Sequence, residues 1–142
     1  MGVGIWSSGW LNNQTAAKNF NKPIFFKPIF FFLGGSTDIA YANVSARARR
    51  ELEIVTDIAK GERDYANMPA GVPKWKGNLP VGHGGTYTEP NGGKFGVSGA
   101  KWVQWYMRGN ATAAEYLTGD GAKNDGWSVV SADLADLKVT PI

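Results

Sequence analysis

The run Pro28-Ile29-Phe30-Phe31-Phe32-Leu33, closed by Gly34-Gly35, constrains this chain more than any other segment. Its residues favour the extended backbone and carry no polar interruption, so the strand they form has to be covered on both faces, as in parallel sheets. The run is far shorter than the roughly 20 residues that cross a bilayer, so no membrane span is expected. Just before it, Lys22-Pro23-Ile24-Phe25-Phe26 is repeated at once as Lys27-Pro28-Ile29-Phe30-Phe31, although one strand needs only one copy.

The rest of the chain is organised around that strand. Residues 3–6 form a short apolar stretch followed by Ser7-Ser8-Gly9, which reads as a strand ending in a turn. Residues 74–81 give a further strand despite Gly77, and residues 93–108 a helix with Phe95, Trp102, Trp105 and Tyr106 as core candidates and Gly109 as its C-cap. Residues 111–117 make a short second helix, and residues 127–130 a terminal strand or loop. Strands alternating with helical patterns predict an α/β fold with a mainly parallel sheet of three strands and two to three flanking helices in a single domain. Residues 44–61 differ in composition from both sides, and Leu52, Val55, Ile58 and Ala59 fall on one helical face. The segment reads as an insertion, either a helical surface element or a translated intron.

Composition excludes several classes of function. The net charge is +3, but only Arg47, Arg49 and Arg50 cluster, beside Glu51 and Glu53, so no nucleic-acid footprint emerges. With no cysteine and one histidine, neither a disulfide framework nor a metal site is expected. Nothing at residues 2–6 resembles a signal peptide, while Asn13-Gln14-Thr15, Asn43-Val44-Ser45 and Asn110-Ala111-Thr112 are sequons of the kind secreted proteins carry.

His83, the single histidine, lies in Leu79-Pro80-Val81-Gly82-His83-Gly84-Gly85-Thr86, where an apolar strand gives way to a glycine-bracketed loop. An imidazole there can accept and donate a proton near neutral pH. Asp38 follows the strongest strand, in Gly34-Gly35-Ser36-Thr37-Asp38. Residues just after the C-terminal ends of neighbouring parallel strands face the crevice where open α/β sheets bind ligands, so Asp38 and His83 are a candidate acid and base pair. Asp after Gly-Gly-Ser-Thr is also a common turn or N-cap arrangement.

Leu33-Gly34-Gly35-Ser36-Thr37-Asp38-Ile39-Ala40-Tyr41 after one strand, Pro80-Val81-Gly82-His83-Gly84-Gly85-Thr86-Tyr87 after the next, and Lys101-Trp102-Val103-Gln104-Trp105 on the following helix resemble the last third of an α/β-hydrolase. The kind is that of fungal secreted esterases and lipase-like enzymes, and the resemblance extends over nearly the whole chain except residues 44–61. It implies a partial α/β-hydrolase sheet in which Asp38 is the acid after strand seven, His83 the base after strand eight, and residues 3–6 strand six. It implies hydrolysis of a carboxylic ester or similar acyl bond, with no cofactor and no metal, by a family whose complete members are secreted. The nucleophile elbow of that family, G-x-S-x-G, does not precede Asp38; Gly96-Val97-Ser98-Gly99 comes closest but follows His83 and lacks a preceding strand. Two triad members of three are therefore expected, and the isolated chain is expected to be inactive. The alternative is a non-catalytic remnant, a binding or partner surface or no function, with self-association through an exposed sheet edge.

Overall fold

A computed structural model describes residues 3–6, 28–35, 60–137 and 139. Along them run β1 (Val3–Trp6), β2 (Ile29–Leu33), α1 (Lys60–Asn67), β3 (Lys74–Asn78), α2 (Gly93–Arg108), α3 (Ala111–Thr118), α4 (Gly121–Asn124) and β4 (Ser128–Ala132). Single 3-10 turns lie at Pro90–Gly92 and Leu134–Asp136.

The four strands form one sheet in the order β1-β2-β3-β4. β2 is parallel to β1 and to β3, with Phe30 opposite both Gly4 and Trp75, whereas β4 runs antiparallel to β3, with Val130 opposite Lys76. The fold is therefore mixed α/β, and the expected mainly parallel sheet of three strands is corrected to a mixed sheet with four strands among the described residues. The departure lies at the edge: β4 reads Ser-Val-Val-Ser-Ala and leaves Val130 46% exposed, which suits an antiparallel strand with one side in water. Among the described residues four α-helices stand where two to three were expected, since α1 and the short α4, which starts after Gly119-Asp120, add to α2 and α3.

Period-two alternation divides β2 between two cores. Phe30 and Phe32 face Trp75, Phe95, Trp102, Leu117 and Trp127, with Trp105 and Tyr106 packed at the margin. Ile29, Phe31 and Leu33 face the other way, onto Tyr65 and Met68. On the first face Phe30 stacks on Trp75 with ring centres 5.7 Å apart, and the Trp75 indole N–H donates to the Leu117 carbonyl at 2.9 Å. That bond lets a large amphipathic ring sit in the core without an orphaned donor.

β3 shows why an interior strand here reads Lys-Trp-Lys. Trp75 points to the aromatic core, while Lys74 and Lys76 turn to the α1 side and place their ammonium groups 5.1 and 5.0 Å from the Tyr65 ring centre. Lys76 is ion-paired with Glu62, and Lys74 donates to the Met68 carbonyl at 3.0 Å. Burial pulls the Lys74 ammonium below its usual range, opposed by the negative charge of Asp133. Burial also pushes the Tyr65 phenol up, helped by Asp133 and then Glu62. These contacts fasten α1 to the sheet.

Of the expected insertion only Lys60 and Gly61 are among the described residues, within α1. The helix expected at residues 93–108 is α2 as expected, closed by Gly109 in a left-handed conformation with φ 65°.

Candidate active site

β2 and β3 are parallel neighbours, so their C-terminal ends emerge at the same edge of the sheet. Beyond Asn78 the strand hydrogen bonding gives way to an extension of the same ladder: the Leu79 N–H donates to the Leu33 carbonyl at 2.9 Å, and the Val81 and Gly82 N–H groups both donate to the Gly34 carbonyl, at 3.1 and 2.7 Å. The strand expected to reach residue 81 stops at Asn78 because Pro80 has no N–H to continue it. Gly35 meets Pro80 so closely that a Cβ on Gly35 would stand 2.7 Å from the Pro80 Cα, and its φ of 81° is a value that favours glycine. The Gly34-Gly35 end of β2 and the segment leading to His83 are thus held backbone to backbone.

His83 occupies the second position of a tight turn closed by the Gly85 N–H, which donates to the Gly82 carbonyl at 3.0 Å. Gly82 and Gly85 have φ values of 81° and 54°, so the glycines that bracket the histidine supply conformations other residues resist. The imidazole is exposed at the tip of this turn. Asp38, its expected partner, lies outside the described residues, as do Ser7, Ser8 and Ser36.

Thr86 anchors the turn from behind and has no counterpart among the residues singled out from sequence. Its hydroxyl is buried, accepts the Phe95 N–H at 3.0 Å and donates to the Gly92 carbonyl at 2.6 Å. Gly92 in the N-cap position of α2 offers no side chain, so Thr86 caps the helix from nine residues upstream of Phe95. A threonine just after a glycine cluster and shortly before a helix without its own capping residue is the signal that marks it.

Ser98, the serine of the nearest elbow-like motif, is fully buried in the middle of α2. The Tyr116 phenol donates to Asp125 at 2.6 Å, which leaves the Ser98 hydroxyl, 3.3 Å away, to donate to the phenol oxygen. This chain of hydroxyls joins α2, α3 and the turn after α4. Burial and the Asp125 bond push the phenol up to about 12, against the opposing effect of the Ser98 bond. A serine so placed is a packing group and offers no exposed nucleophile.

Among the described residues no group of three or more His, Asp or Glu side chains is arranged to hold a metal ion, and no helix is long and apolar enough to cross a membrane. Comparison with family models, with curated proteins and with solved structures gives no match to this chain.

Proposed function

We propose that this chain carries the acid and base pair of a serine-type carboxylic-ester hydrolase, with His83 as general base and Asp38 as the carboxylate that orients it. The serine belongs to a segment outside these residues. In that reaction the imidazole takes the serine hydroxyl proton as the oxygen attacks the ester carbonyl, then returns the proton to the departing alkoxide. Water, activated by the same imidazole, cleaves the acyl-enzyme and regenerates the hydroxyl. The carboxylate fixes the imidazole tautomer and stabilises the imidazolium.

The observation that supports this reading is the backbone seam between the end of β2 and the turn that bears His83. Chain connectivity keeps the Asp38 Cα within about 11 Å of Gly35, since three residues span no more than that, and Gly35 itself packs on Pro80, three residues before His83.

The chain has no cysteine, so a paired-thiol test has no background. In the double variant Asp38→Cys/His83→Cys, a short thiol-reactive bis-maleimide is expected to close an intramolecular link in high yield. Asp120→Cys paired with His83→Cys is the control for non-specific closure. Failure of the first pair to close beyond the control overturns the assignment of Asp38.

A further inference from the structure

Among the described residues, none covers one side of α2. Val97, Val103 and Met107 are 40%, 42% and 41% exposed, and beside them an open trough of about 550 Å³ follows the helix over Gly96, Gly99, Ala100 and Val103 to Arg108. Gly96, Ala100 and Val103 repeat at i, i+4 and i+7, the spacing at which a second helix meets the first. Ala100, the small residue at the centre of this stripe, keeps the floor of the trough low.

The charges at the two ends of α2 identify the occupant. α2 runs from Gly93 to Arg108, so its midpoint falls at Ala100. At the N-terminal end the Glu89 carboxylate lies against Gly93, where it would block an added Cβ. At the C-terminal end stands Arg108. Among the described residues the ion pairs are Lys76–Glu62 and Lys123–Asp120, and neither includes Glu89 or Arg108. A second α2 lying antiparallel across Ala100 at a shallow angle brings Arg108 of each copy to Glu89 of the other. A two-fold axis requires such self-complementarity, in which the same patch serves both partners.

We propose that two copies of this chain associate through α2, antiparallel about Ala100, with Arg108 of each copy paired to Glu89 of the other. The pairing is independent of the ester-hydrolase reading. One helix pair covers less than a standard interface, so the association is weak and reversible.

Sedimentation velocity over roughly 1–200 µM tests this, with circular dichroism confirming that each variant is folded. The wild type is expected to pass from monomer to dimer across that range. Ala100→Glu and Arg108→Glu are each expected to weaken association about tenfold or more, since one buries a charge at the crossing and the other sets two carboxylates face to face. The swapped double variant Glu89→Lys/Arg108→Glu is expected to restore most of what Arg108→Glu loses. A chain that stays monomeric overturns the proposal, as does a dimer indifferent to Ala100→Glu or a double variant that recovers nothing. A dimer abolished by Val130→Lys on β4 but not by Ala100→Glu also overturns it, in favour of pairing at the sheet edge.

Discussion

The Thr86 hydroxyl stands 3.0 Å from the Phe95 N–H and accepts its hydrogen bond, tying the turn that carries His83 to the first turn of α2. The same oxygen donates to the Gly92 carbonyl, so a single buried group satisfies a helix-start donor and a loop acceptor together. The position of His83 thus depends on α2 as well as on β3.

Thr86→Val keeps the shape of the side chain and removes both bonds. It leaves a buried N–H and a carbonyl without partners, at a cost of about 1–3 kcal/mol in unfolding free energy. Thr86→Ser keeps the hydroxyl and is expected to lose much less. Urea denaturation of the three proteins orders them wild type, Ser, Val; a valine variant as stable as the serine variant removes Thr86 from the capping role.

Tyr116 makes a prediction about alkaline pH. An unfolded tyrosine ionises near 10, whereas burial first, and then the bond to Asp125, raise the folded phenol to about 12. Because the folded value is the higher, the stabilisation is complete below pH 10 and is lost as pH rises toward 12. Tyr116→Phe removes this contribution. The denaturation midpoint of the wild type is therefore expected to fall more steeply than that of Tyr116→Phe between these pH values, and parallel curves refute the assignment.

The Lys76–Glu62 pair lies where the side chains are 11% and 25% exposed, so the two ways of breaking it differ. Glu62→Gln strands the Lys76 ammonium beside the Tyr65 ring without its counter-charge and is expected to cost about 1–3 kcal/mol, as for a buried donor that loses its partner. Lys76→Met removes the buried charge, keeps the apolar length, and leaves Glu62 on the wetter side. It is expected to cost less than Glu62→Gln. Thermal unfolding at neutral pH checks the order, and the reverse order shows that Lys76 is sufficiently hydrated to stand alone.

The parts of this fold legible in the sequence are those with an uninterrupted local pattern. The run from Ile29 to Leu33 announces a strand buried on both faces, and it is one. The spacing of Phe95 and Trp102, with Gly109 beyond, announces α2 and its C-cap. β3 is harder, since Lys-Trp-Lys-Gly-Asn alternates against expectation: Lys76 is buried and Lys74 half-buried along Tyr65, and Gly77 is a glycine because the Trp75 and Trp127 rings fill the place of its Cβ. Residues 128–132 suit an edge strand but do not by themselves fix the direction of β4, which depends on how α2, α3 and α4 return the chain to the sheet. At the candidate site, the glycines around His83 mark the turn, but Thr86 shows its role only once Gly92 is seen to leave α2 without a capping side chain.

The last prediction concerns catalysis by these residues alone. Acyl transfer by a triad needs an exposed hydroxyl at a strand-to-helix elbow, and no G-x-S-x-G sequence precedes Asp38. Ser98 does not substitute, since it is fully buried and its hydroxyl is engaged with Tyr116. Removing the nucleophile of a triad costs about as much as removing the whole constellation, so an acid and a base without it retain little capacity for acyl transfer. Hydrolysis of a p-nitrophenyl ester by the 142-residue chain is therefore expected to equal that of its His83→Ala variant. A wild-type rate clearly above that variant contradicts this expectation and turns attention to Ser7, Ser8 and Ser36 as candidate nucleophiles. Substituting each of them by alanine then identifies the one whose loss returns the rate to the His83→Ala level.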